Sequence, residues 1–411
     1  MNNRLSEAVI ALTNRNYRFF FCGQLISLCG TWMQMMAMSW LTYRLTGSPA
    51  LMGLAMFFTQ APSLILSPFA GARADRSNKR KALIIIQAAF LLQTAALAIL
   101  TLSGHITVNQ ILVLAFVQGL ITAYDFPFRQ SLVPEMLDRP EHLQNAIALN
   151  SLVVNAARIV GPSIAGIIVA AFGEGWCFLF NSVSYLGAIV ALLCMRITFI
   201  KTVAIEGSSR IKSIRSGFKY VWHHRSIRAV MAMLFVASFI GTSYMTLLPI
   251  LVQDALHGSA QDMGFLMAAS GGGAVVSVIY LAFRNSIDGL DRLIGYAVGI
   301  GGLAFIALGR CNAMLIAYSI MPLVGMMLTF QMASSNTFIQ STTKSVMRGR
   351  VMGIYALIWN GISPFGNLLY GFAAEFIGAQ WTIAAGGVVM VLSAGAFFWL
   401  SNNSVAADAE I

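Results

Sequence analysis

Twelve apolar runs, each about as long as a bilayer is thick, constrain this chain of 411 residues more than any other feature. A helix needs roughly 20 consecutive apolar residues to cross the hydrocarbon core. The runs lie near 19–43, 50–71, 82–103, 107–128, 145–171, 176–196, 228–252, 263–283, 293–309, 313–335, 349–374 and 380–400. In lipid each backbone group must find its partner within its own segment, so runs of this length read as helices. Hydrophobic residues make up 58% of the chain and charged residues 10%, where a soluble domain carries roughly 25% charged. The expected fold class is therefore an all-α membrane protein of twelve transmembrane helices. The opening stretch, Met1 to Arg18, is polar and basic, and the run after it is too long for a signal peptide, so that run is expected to stay as the first span.

The loops orient the chain. With the N-terminus inside, the cytoplasmic segments hold 23 of the 26 Lys and Arg, only Arg44 and Arg310 lie outside, and Arg158 sits within the fifth span. That asymmetry predicts a multi-pass protein of the cytoplasmic (inner) membrane with both termini cytoplasmic. It also accounts for the net charge of +11 without nucleic acid, since no Lys/Arg run is interleaved with aromatics. The five cysteines (Cys22, Cys29, Cys177, Cys194, Cys311) form no CxxC and read as small apolar residues in helices. No metal and no cofactor are expected.

The longest polar stretch, Lys201 to Arg225, divides the spans six and six. The predicted domains are a bundle over 1–200, a cytoplasmic linker over 201–227 and a second bundle over 228–411. Trp222 and its charged neighbours fit a short amphipathic helix at the inner surface; a solvated linker fits equally well. A repeat supports the division. At an offset of 205 residues Asn155 falls on Asn360, Gly161 on Gly366, Gly166 on Gly371, Gly173 on Gly378 and Trp176 on Trp381. Two pseudo-symmetric six-helix bundles related by a parallel repeat are expected.

Three motifs carry chemistry. After the second span stands Gly71-Ala-Arg-Ala-Asp75-Arg76-Ser-Asn-Lys79-Arg80-Lys81. Gly71 permits close helix approach, Asp75 suits a helix N-terminus, and Arg76, Lys79, Arg80 and Lys81 hold the loop inside. Such contacts can form in one state and break in another. The fifth span holds Gly161-Pro162-Ser163-Ile164-Ala165-Gly166, where Pro162 kinks the helix and the glycines permit tight packing. The fourth span holds Gln118-Gly119.

The loop resembles the signature G-x-x-x-D-R-x-x-R-[KR] of the major facilitator superfamily. The fifth-span motif resembles the G-P-x-x-G-G of its antiporters, with Ala165 in place of one glycine. Gln118-Gly119 is similar to the end of an R-x-x-Q-G motif linked with proton coupling, but the arginine position is Ala115. Asn16-Tyr17-Arg18, Gly30-Thr31-Trp32-Met33-Gln34, Asp125-Phe-Pro127-Phe-Arg129-Gln130 and Arg348-Gly-Arg350 extend the likeness over the whole chain, to the enterobactin-exporter branch. The resemblance implies alternating-access efflux of an amphipathic small molecule, a siderophore or a drug, driven by protons.

Charges at membrane depth need a partner or a wet cavity. Asp125 is the candidate proton carrier, with Arg158 or Arg129 as its partner; a permanent gating ion pair is the competing reading. Glu375, at the outer end of the eleventh span, reads as an interfacial residue. Gln24, Gln34, Trp359 and Asn360 are the substrate-cavity candidates, together with Arg158. A small-molecule substrate, protons and membrane lipid are the expected partners, and the chain is expected to act as a monomer. An importer or a lipid flippase on the same fold is the alternative. An enzyme is not expected: the histidines lie in loops or at helix ends, and no nucleotide-binding GxxxxGK[ST] loop appears.

Overall fold

A computed structural model describes residues 10–74, 76–196, 210–284 and 286–408. Thirteen helices make up the described chain: α1 (Arg15–Thr46), α2 (Pro49–Ala74), α3 (Lys79–Leu102), α4 (Val108–Leu132), α5 (Leu143–Phe172), α6 (Glu174–Cys194), α7 (Arg210–His223), α8 (Arg225–Ala255), α9 (Ala260–Phe283), α10 (Leu290–Arg310), α11 (Met314–Thr342), α12 (Ser345–Ile377) and α13 (Ala379–Asp408). Two π-helical turns, Ala237–Gly241 and Leu251–Ala255, interrupt α8.

Ten of these helices are long and apolar enough to cross a membrane. The sequence predicts twelve spans, and the two outside the ten are α1 and α12, the longest helices at 32 and 33 residues. Their polarity has a physical reason. Gln34 of α1 and Asn367 of α12 are 1% and 3% exposed and bonded to neighbouring helices, so each helix lowers its mean hydropathy with amides that serve helix–helix contact, while α12 keeps exposed apolar residues such as Leu369 and Phe376 on another face.

The chain folds as two compact units. The first contains α1, the part of α2 from Phe58, α3 to α6, and Ser259–Ala268 at the start of α9. The second contains Ser48–Phe57, α7, α8, the rest of α9, and α10 to α13. Lipid supplies no hydrophobic force between helices, so close backbone approach by small residues does much of the packing. In the first unit a Cβ on Gly23 would stand 2.8 Å from the Ala191 Cβ, and one on Gly30 2.2 Å from Asn181 Oδ1. In the second, one on Gly273 would stand 1.8 Å from the Pro322 carbonyl oxygen, and one on Gly387 2.5 Å from that of Gly302.

The internal repeat is visible as local structure. α5 ends on Gly173 at φ 88°, α12 on Gly378 at φ 82°, and each glycine N–H donates to the carbonyl four residues back at 3.0 Å. A left-handed φ is what makes glycine the residue of choice there. The linker forms the amphipathic helix α7. Gly217 seats it on Arg350 and Ile354 of α12, and Arg350 Nη1 donates to Ser216 Oγ at 2.8 Å. Phe218, Lys219 and Trp222 are exposed.

One ion pair tests the first unit's stability. Arg44, in the last turn of α1, donates to both oxygens of Glu174 at 2.7 and 3.0 Å. The Glu174 side chain is 6% exposed, so R44A strands a buried acceptor and is expected to cost about 1–3 kcal/mol. Thermal unfolding in detergent checks this: R44A lowers the midpoint, and E174Q added to R44A recovers part of the loss.

Candidate transport site

Three helices of the first unit each turn a stripe of side chains toward one space. On α4 the stripe is Gln118, Thr122, Asp125 and Arg129, spaced 4, 3 and 4 residues, which is one face of a helix. On α1 it is Gln24, Leu28 and Thr31, and on α5 Asn150 and Val154. The space is a cavity of about 240 Å³, with Phe90, Phe126 and Tyr185 supplying apolar wall. Phe90 and Tyr185 stack at 5.2 Å.

The charged feature of the wall is Asp125. Arg129, one turn on, donates from Nη2 to Asp125 Oδ2, and Gln87 Nε2 donates to Oδ1 at 2.9 Å. The two side chains of the pair are 12% and 16% exposed, so each charge depends on the other. Behind them a smaller void of about 20 Å³ is bordered by Gln24, Gln87 and Arg129, room for one water.

A chain of side-chain hydrogen bonds stiffens the wall. Gln118 Oε1 accepts from Gln34 Nε2 at 3.1 Å. Gln34 Oε1 accepts from Thr94 Oγ1 at 3.1 Å and from Asn181 Nδ2 at 2.5 Å. Four helices, α1, α3, α4 and α6, meet there. Gln34 therefore corrects the expectation placed on it: it stands behind the cavity wall and fixes Gln118 in place.

Arg158 lies away from Asp125 as well. Its guanidinium is 5.9 Å from the Trp32 ring centroid, and its buried Nε makes no hydrogen bond among the described residues. The carboxylate's partner is Arg129. Trp359 and Asn360 belong to the second unit, where Trp359 gives its carbonyl to Ser238 Oγ at 2.8 Å and Asn360 Nδ2 donates to the Ala356 carbonyl at 3.3 Å.

The fifth-span motif has two distinct contacts. A Cβ on Gly161 would lie 2.7 Å from the Trp32 Cβ and 2.8 Å from the Cys29 carbonyl oxygen, so Gly161 fits α5 onto α1. Gly166 fits it onto the start of α9, where a Cβ on Gly264 would lie 2.4 Å from the Pro162 carbonyl oxygen and 3.0 Å from the Gly166 Cα. In the loop after α2, Arg80 donates to the carbonyls of Leu192 and Leu193 at 2.7 and 2.8 Å, which caps the C-terminal end of α6. Lys79 pairs with Glu135, and Arg76 is exposed. Gly71 departs from expectation: a Cβ there meets no described atom within 4 Å, so no close helix approach requires it in this conformation. Asp75 lies outside the described residues. Gln87, Glu135 and Asn181 are not among the residues that the sequence singles out, although a lone polar residue within an apolar run (Ile-Ile-Ile-Gln87-Ala-Ala-Phe) is a usable signal.

Comparison with known proteins follows the same lines. Residues 6–410 match the family model described as transmembrane secretion effector. The chain is 26% identical to the staphyloferrin A transporter of Staphylococcus aureus, over 94% of this chain and 96% of that protein. It is 23% identical to the multidrug efflux pump Tap of Mycolicibacterium fortuitum, over 88% and 90%. Among solved structures, the nucleoside transporter NupG superposes with a TM-score of 0.73 at 12% identity, covering 94% of this chain and 98% of that one; at that identity the likeness concerns the fold.

Proposed function

The chain belongs to the transmembrane secretion effector family of major facilitator transporters, and from its membership we propose that it exports an amphipathic small molecule, a siderophore or a drug, as a proton antiporter working by alternating access. That it is a multi-pass membrane transporter of small molecules follows from the family and the fold. The finer reading rests on one observation: a nearly buried ion pair, Asp125–Arg129, on the wall of a cavity that is otherwise aromatic rings, aliphatic side chains, amides and hydroxyls. Amphipathic ligands want such a pocket, mostly apolar with a few placed polar groups.

The pair gives a coupling step that balances charge. A proton taken up by Asp125 neutralises the carboxylate and leaves Arg129 without its counter-ion. That proton, taken from the outside, removes the carboxylate that a cationic or donor-bearing ligand engages, and the uncompensated guanidinium repels it, so the ligand leaves. Loss of the proton to the inside restores the carboxylate and the next ligand binds from the cytoplasm, so proton and ligand exclude one another. Two states of one site, each favoured by one ligand, are what an exchange cycle requires. Export is the proposed direction because the fifth-span motif, of the antiporter type, packs α5 tightly on α1 through Gly161 and on the start of α9 through Gly166.

The Lys and Arg distribution supports a cytoplasmic N-terminus in the inner membrane. α7 then lies at the inner surface, with Phe218 and Trp222 turned to the lipid boundary and Lys219 to headgroups.

The test is export from cells. In a deletion strain of the native host, an iron chelator or drug accumulates inside, and a protonophore applied to wild type reproduces the effect. A compound that instead vanishes from wild-type medium but persists with the deletion strain makes the protein an importer and overturns the direction.

A further inference from the structure

Glu375, near the end of α12, reads from the sequence as an interfacial residue, yet its carboxylate has a specific partner. Oε2 accepts from Ser48 Oγ at 2.9 Å and from the Ala50 backbone N–H at 3.1 Å. Ser48 immediately precedes α2, so a side chain of α12 occupies the N-terminal end of α2. The first turn of a helix has backbone donors with no partner of their own, and a carboxylate there is favoured by the helix dipole.

The corresponding helix of the second repeat solves the same problem differently. Ser259 stands 211 residues after Ser48, and Gly264 211 after Gly53. At the start of α9, Asp262 Oδ2 accepts from the Ser259 N–H at 2.8 Å and from Ser259 Oγ at 2.7 Å. That is a local cap, an acid three residues after a serine. The residue of α2 in the place of Asp262 is Leu51. One helix carries its own acid; the other takes its acid from a facing helix.

A second contact adjoins the first. A Cβ on Gly371 would lie 2.6 Å from the Pro49 carbonyl oxygen and 2.8 Å from the Gly53 Cα. Gly371 is one turn before Glu375 on α12, so the carboxylate and the glycine share one line of contact. Ser48 Oγ itself accepts from the Leu51 N–H at 3.4 Å, and among the described residues the Ala50 N–H finds its acceptor only on α12.

We propose that Glu375 is a positioning residue for transport: from α12 it caps the start of α2, holding the outer end closed, and this bond breaks when the cavity opens outward. The proposal rests on the alternating-access reading above. At the start of α9 the cap travels with its own helix and is indifferent to the state.

The test uses the full-length chain in cells, with the five native cysteines replaced and Thr31, on the cavity wall, changed to Cys. A membrane-impermeant maleimide reports access from outside. E375A is expected to raise outside labelling at least threefold and to slow export, and E375Q, which keeps length and one acceptor oxygen, to do so less. Adding L51D to E375A supplies a local cap like that of Asp262. If Glu375 acts across the two helices, L51D leaves the raised labelling in place. If L51D returns labelling to the parent rate, Glu375 is a local helix cap and the proposal is overturned. E375A labelled at the parent rate, with Thr31→Cys still reached from inside and export intact, overturns it too and leaves alternating access standing. No labelling from either side in any variant overturns both.

Discussion

Asp125→Asn is expected to abolish proton-driven export while leaving the protein folded. Asn keeps the shape and an oxygen to accept from Gln87 Nε2, which bonds Asp125 Oδ1 at 2.9 Å. It cannot exchange a proton near neutral pH, and it leaves Arg129 permanently without a counter-ion. Removing one partner of a buried pair costs about 3–5 kcal/mol in a sealed interior. Here the pair lies on a cavity wall, 12% and 16% exposed, so water relieves part of that cost and a folded variant is expected. The measurement is substrate flux in proteoliposomes under an imposed pH gradient, set beside flux down a substrate gradient alone. In D125N the first falls at least tenfold and the second persists. Unchanged flux under the pH gradient sinks the carrier role and leaves Asp125–Arg129 as a fixed gate.

The second large effect is expected from single methyl groups. In Gly264→Ala the new Cβ lies 2.4 Å from the Pro162 carbonyl oxygen, and in Gly371→Ala 2.6 Å from that of Pro49. Both neighbours are backbone, so a helix has to move. Overpacking of this kind costs about 1–3 kcal/mol, a population shift of roughly 5- to 150-fold away from the conformation with these contacts. Export by either variant is expected to fall at least fivefold. Gly187→Ala, on α6 where a Cβ meets no described atom within 4 Å, is the control and keeps parental export. Export by Gly264→Ala at the control rate removes this contact from the transport cycle.

The sequence carries the helices well and their partners poorly. An apolar run announces a span because lipid forces the backbone to close on itself. The spacing of Gln118, Thr122, Asp125 and Arg129 likewise announces one face of α4. What a face touches is another matter. Asp125 has two arginines within plausible reach in the sequence, and only the packing of α3 and α4 assigns Arg129 and adds Gln87. Gln34 reads as a cavity residue because a buried amide and a cavity amide are the same letter; Asn181, 147 residues away, settles which it is. The motif glycines are legible as places of close approach, and Gly119, Gly161 and Gly166 each have a close neighbour, whereas Gly71 has none among the described residues. Glu375 reads only as interfacial because no pattern on α12 reports that α2, more than 300 residues earlier, begins without an acid of its own.

The two glycine contacts also bear on ancestry. Gly53 of α2 meets Gly371 of α12, and Gly264 of α9 meets Gly166 of α5, so the second span of each repeat lies on the fifth span of the other. Reciprocity of that kind is the signature of a two-fold interface between identical subunits, where i touches j and j touches i. A duplicated gene that fused such a dimer would keep the reciprocal contact and lose the obligation to be symmetric. In a dimer of identical chains, any acid at the start of the second span appears twice or not at all. The fused chain has placed Asp262 in one copy and Leu51 in the other, an inequality that a dimer of identical chains cannot encode.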